Sequence, residues 1–124
     1  MAERDGTSPI KERVVEQEVL VLPDEGDGVR VIVCAGEFDQ ETLEAFRKAG
    51  NPAVADPAVR RIVLDVSRLT FADSSMLNGM LRLLRSGRLV LAGPLPASLE
   101  RVFELTGAGS LFPIAESVEA ARIL

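Results

Sequence analysis

The residues best placed for chemistry are Asp73, Ser74 and Ser75, in the stretch Thr70-Phe71-Ala72-Asp73-Ser74-Ser75 between an apolar strand, Ile62 to Val66, and an amphipathic helix. A hydroxyl there stands at a helix N-terminus, where the first backbone N–H groups lack intrahelical partners and the helix dipole is positive. Such a position suits an anion, so a phosphate carried by serine can rest on the terminal amides. The chemistry expected is phosphorylation of a serine. The plainer role open to the same three residues is to cap the helix.

Other chemistries find little support. The chain has no histidine, which removes the commonest general base and metal ligand, and its one cysteine, Cys34, sits in the apolar run Val31-Ile32-Val33 as a small core residue. No Cys/His cluster can form, so no metal and no cofactor are expected. Glu37 and Asp65 could be read as paired carboxylates, but without a histidine beside them they read as solvated or hydrogen-bonded loop-end residues. No Walker-type loop or Gly-x-Gly-x-x-Gly fingerprint follows a strand, which argues against a nucleotide-using enzyme. The net charge of −5 argues against a nucleic-acid partner, which needs a clustered basic surface. With no Trp or Tyr there is no stacking platform, and the five phenylalanines read as core. Protein partners fit better.

The 124 residues are one domain's worth, and 47% are hydrophobic without any run long enough to span a membrane. The first residues carry charge and lack a signal-peptide-like apolar stretch, so a cytoplasmic location is expected. Residues 1–13 read as a loose tail, and the domain occupies 14–124. Glu18 to Leu22 and Val29 to Ala35 are β-rich runs around the turn-forming Pro23-Asp24-Glu25-Gly26-Asp27-Gly28, which predicts an antiparallel pair. Gly36-Glu37-Phe38-Asp39 should break the second strand. Asp39 then caps a helix bearing Leu43 and Phe46 that ends at Gly50, with Asn51 to Pro57 a Pro/Ala-rich connector that leaves room for a second half-turn of helix.

Arg61 to Val66 reads as a central strand buried on both faces. After the serines, Leu77, Met80, Leu81 and Leu84 make one helical face, closed by Gly87. Leu89 to Ala92 is the next strand. Leu99, Val102, Phe103 and Thr106 line a helix ending at Gly107, and Leu111 to Ile114 forms the last strand. Ser117 caps a terminal helix with Val118, Ala121 and Leu124 as its apolar members. The order β-β-α-β-α-β-α-β-α predicts an α/β fold with a mixed, mostly parallel sheet.

Gly36-Glu37-Phe38-Asp39, Leu64-Asp65-Val66-Ser67, Phe71-Ala72-Asp73-Ser74-Ser75, Leu91-Ala92-Gly93-Pro94 and Leu105-Thr106-Gly107 occur in this order and spacing. Together they resemble the STAS domain family (sulfate transporter and anti-sigma factor antagonist), especially its small stand-alone bacterial members, from about Glu18 to Leu124. The resemblance implies a single STAS-like domain that binds an anti-sigma factor, itself a serine kinase, and so releases a sigma factor. It also implies that this kinase phosphorylates a motif serine, carried over onto Ser75 with Ser74 the alternative. The phosphorylated form would not bind, and a metal-dependent serine phosphatase would reset it.

The partner surface implied comprises Asp39, Asp73, Ser74, Ser75, Met76 and Asn78, with Met76 and Asn78 standing where the family motif has glycines. Such a protein catalyses nothing itself. The other reading the resemblance allows is a non-phosphorylated STAS scaffold within a larger regulatory or transport assembly.

Overall fold

The computed structural model describes residues 17–124; the expected tail, 1–13, and the expected domain start at residue 14 lie outside them. The chain runs β1 (Gln17–Val21), β2 (Val29–Phe38), α1 (Glu44–Ala55), β3 (Arg61–Ala72), α2 (Ser74–Leu84), β4 (Leu89–Ala92), α3 (Ala97–Thr106), a 3-10 turn (Ala108–Leu111), β5 (Ile114–Ala115) and α4 (Val118–Arg122). The five strands lie in chain order β1-β2-β3-β4-β5. The β1–β2 pair is antiparallel and every other pair is parallel.

Strand alternation divides the core in two. Ile32, Cys34, Ile62, Leu64, Val66, Leu89 and Leu91 face one side, where Phe46 of α1, Met80 of α2 and Leu99 of α3 cover them. Val29, Val31, Val63, Val90 and Ala92 face the other, against Ala121 of α4. Three helices therefore blanket one face and one short helix part of the second. Each fully buried Leu, Ile or Val contributes about 1.5–3 kcal/mol relative to exposure, so the larger cluster carries most of the stability.

The structure corrects several of the sequence expectations. The Gly36 segment does not break β2. The strand continues to Phe38 because Gly36 adopts φ +97 and two register shifts against β3 absorb the bend. β3 likewise runs on to Ala72, well beyond Val66, so Glu37 and Asp65 sit within strands and not at loop ends. Gly50 does not end α1. The helix carries on through Pro52 to Ala55, and a Cβ on Gly50 would lie 3.0 Å from Leu83 Cδ2, so this glycine lets α1 lie close against α2.

Leu83, not among the expected apolar positions, is buried, whereas Leu84 and Leu81 are half-buried. The last strand is Ile114–Ala115, because Phe112 stacks on Phe103 with ring centroids 5.3 Å apart and the preceding residues form the 3-10 turn. Thr106 is exposed, its hydroxyl donating to Val102 O, and Leu124 is exposed beyond the end of α4.

Two arginines finish helices from a distance. Arg88 donates to Val54 O and Asp56 O, at the C-terminal end of α1, and to Val59 O. Arg61 donates to Ala121 O and Arg122 O at the end of α4. Cations at helix C-termini satisfy orphan carbonyls and oppose the dipole.

Gly79 and Cys34 give tests of this packing. A Cβ on Gly79 would stand 2.8 Å from Cε2 of the buried Phe46 ring. Gly79→Ala should therefore lower unfolding free energy by about 1 kcal/mol, because overpacking of about 1–3 kcal/mol outweighs the roughly 1 kcal/mol gain in helix propensity. In a Phe46→Leu background the same change should become neutral or stabilising, as read by urea denaturation.

Burial, with the nearby Asp65 carboxylate second, pushes the Cys34 thiol up to about 12 from 9.0. The folded state thus favours the neutral thiol, a contribution complete below pH 9 and lost as pH climbs from there toward 12. Stability should fall above pH 9 with a slope of up to about 1.4 kcal/mol per pH unit. Denaturation of a Cys34→Ala variant, in a chain free of tyrosine, should lack that slope.

Candidate functional site

The parallel register of β2 and β3 ends with Phe38 opposite Ala72. Both residues are buried, so Asp39 and Asp73, each the next residue along, leave neighbouring strands side by side at the C-terminal edge of the sheet. Each carboxylate organises the backbone immediately after it. Asp39 Oδ1 accepts from Glu41 N at 2.9 Å and Thr42 N at 3.0 Å, and Thr42 Oγ1 accepts from Asp39 N at 2.9 Å. Asp39 thus closes a turn ahead of α1; the residue preceding the helix is Leu43, which makes no side-chain cap. Gln17 Nε2 donates to Thr42 O and ties the start of β1 to that turn.

Asp73 is the N-cap of α2. Its Oδ1 accepts from Ser75 N at 2.9 Å and from Met76 N at 3.2 Å. This changes one expectation: the amides on which a phosphate was to rest are already held by the Asp73 carboxylate, since a capping aspartate competes for the same orphan N–H groups. A phosphate on Ser75 would stand beside that carboxylate, not in its place.

The surface residues divide clearly. Ser74 and Asn78 are exposed, Asp39, Asp73 and Ser75 are half-buried, and Met76 is fully buried. Met76 is accordingly corrected from surface to core: the third residue of α2 turns its side chain inward among Phe46, Leu77 and Met80 in the larger cluster. Phe71 is the reverse case. Of the five phenylalanines it alone is exposed, at 45%, on β3 opposite Glu37. The signal for this was the alternation itself, because a buried Ala72 ahead of the cap leaves Phe71 pointing to the other face.

Glu37, Asp39, Glu41 and Asp73 make this edge acidic. No group of side chains suited to holding a metal ion occurs among the described residues, and Cys34 is sealed in the core as a neutral thiol. The edge presents a pair of serine hydroxyls near two carboxylates. Among the described residues no helix is long and apolar enough to cross a membrane.

The model of the family described as "Mlab, STAS domain" matches residues 22–113. The chain is also 34% identical over 103 residues to BtrV of Bordetella bronchiseptica, named as an anti-sigma factor antagonist, covering 79% of this chain and 87% of that one. The chain belongs to the STAS domain family. Solved structures agree in fold. An anti-sigma factor antagonist from Mycobacterium paratuberculosis superposes with a TM-score of 0.74 at 24% identity, over 86% of this STAS domain chain and 92% of that chain. SpoIIAA in its unphosphorylated form gives 0.67 at 27% identity, over 83% and 92%. Bacillus SpoIIAA in the phosphorylated form gives 0.64 at 26%, over 86% and 100%.

The cap makes a direct prediction for this STAS domain. Asp73→Ala should reduce stability by about 0.5–2 kcal/mol, whereas Asp73→Asn, which keeps an accepting oxygen, should cost far less. Denaturant midpoints of the two variants against the parent decide it.

Proposed function

We propose that this STAS domain is an anti-sigma factor antagonist whose binding is switched by phosphorylation of Ser75, with Ser74 the alternative acceptor. The observation that carries the reading is the pair of hydroxyls at the start of α2, anchored by the Asp73 cap and set on an edge shared with Asp39. It is supported by relatives named as anti-sigma factor antagonists and by the phosphorylated form in which one of them was solved. In this reading the partner is an anti-sigma factor that is also a serine kinase. Docking on Asp39, Ser74, Ser75 and Asn78 frees a sigma factor, a metal-dependent serine phosphatase restores the hydroxyl, and all of this takes place in the cytoplasm. The protein itself is substrate and ligand, not catalyst.

The switch works through charge. A phosphate adds roughly −1.5 to −2 charges next to Asp73 on an edge that is already acidic. A partner that accommodates the neutral hydroxyl must then desolvate a dianion held beside a carboxylate, which removes several kcal/mol of binding, roughly two or more decades in affinity. Met76 anchors the helix turn from below, so the modification need not unfold α2 to act.

Phosphopeptide mass spectrometry on the protein isolated from its host, with and without stress, tests this. The expected result is phosphate on Ser75 at an occupancy that changes with condition. A well-observed peptide free of phosphate in every condition would sink the switch and leave the non-phosphorylated scaffold as the reading.

A further inference from the structure

We propose that the edge of the domain opposite Ser75 binds a single phosphate-class oxyanion in the pocket lined by Arg60, Arg61 and Arg88. This pocket has a volume of about 250 Å³ and opens where β3 and β4 begin, with Leu89, Val90 and Pro113 among its apolar lining. It lies at the other end of the sheet from the serines, so the proposal stands apart from the function argued above.

The charge pattern around the pocket is uneven. Arg30 pairs with Asp56 at 3.2 Å, and Arg122 pairs with Glu25 at 3.2 Å and Asp27 at 3.1 Å. Those ion pairs engage Asp56, Glu25 and Asp27, Asp24 is turned to Gly26 N, and Leu124 also lines the pocket. Arg60, Arg61 and Arg88 make no ion pair among the described residues. Arg60 Nε donates to Asp27 O at 2.7 Å, Arg61 Nη1 to Ala121 O at 3.0 Å and Arg122 O at 3.3 Å, and Arg88 to three carbonyls of the segment from Val54 to Val59.

Carbonyls hold a guanidinium in place without cancelling its charge. Arg88 commits its two Nη groups to carbonyls at and just beyond the end of α1. The two Nη groups of Arg60, and Nε and Nη2 of Arg61, have no acceptor among the described residues. Adjacent arginines in a concavity focus positive potential, and guanidinium forks match the oxygens of phosphate. The volume falls below the roughly 300–1,000 Å³ of pockets for drug-sized ligands, which favours one compact oxyanion.

The test is an amide NMR titration of the full chain with inorganic phosphate, at ionic strength held constant with sodium chloride. Saturable shifts are expected at Arg60, Arg61, Arg88 and Leu89, and Ser75→Ala should titrate like the parent. Arg60→Gln, an exposed position whose loss should leave the fold intact, should weaken binding about tenfold, as expected for one lost charge-assisted contact. A parallel titration with O-phosphoserine separates the sources: tighter binding of the ion assigns the pocket to free phosphate, tighter binding of the ester to a phosphorylated chain. Shifts that never saturate, an unchanged affinity in Arg60→Gln, or loss of the shifts in Ser75→Ala would each overturn the proposal.

Discussion

Everything at the serine edge depends on the parallel pairing of β2 with β3 along their whole length. That pairing places Phe38 opposite Ala72, and with it brings together two aspartates 34 positions apart in the chain. The register has to survive two irregularities on the way, at Val33/Ala35 and at Gly36/Glu37. A slip of one residue would turn Phe38 and Ala72 outward and exchange the faces of everything beyond. Burial of those two side chains therefore helps hold the register on which the site rests.

The Asp73 carboxylate serves two ends that pull in different directions. As a cap it starts α2, whose Met76, Leu77, Met80 and Leu83 complete the larger core. As a charge fixed beside Ser75 it makes the neighbourhood unfavourable for a second anion. A serine at a helix N-terminus usually gains from the dipole when phosphorylated; here two of the first-turn amides, Ser75 N and Met76 N, are already engaged by Asp73. A modification at this place would express itself outward, toward whatever approaches the edge, while the helix beneath stays anchored by its buried side chains.

The two ends of the sheet differ in kind. The serine edge gathers Glu37, Asp39, Glu41 and Asp73, whereas the opposite edge gathers arginines that close helices and pair with loop carboxylates. Parallel strands with helical crossovers make this division natural. Helix N-termini, which favour acidic caps, follow the strands' C-terminal edge, and helix C-termini, which favour cations, return to the other.

The order of elements was legible in the sequence because it rests on local physics: alternation in Val29 to Ala35, the 3.6-residue spacing of Leu77, Met80 and Leu84, glycine at Gly107 and serine at Ser117. So was the cap at Asp73, which needs only its own helix. The tertiary structure decided the features that depend on partners distant in the chain. Gly36 reads locally as a breaker, yet pairing with β3 carries the strand through it; Gly50 reads as a stop, yet the helix continues past it, close against Leu83. Met76 and Phe71 exchanged their expected places, one to the core and one to the surface, because inward and outward are set by the sheet and helix against which a residue packs. Composition and periodicity determine which segments become strands and helices. Only long-range register and packing determine which side chains of those segments meet the solvent, and the site is made of those.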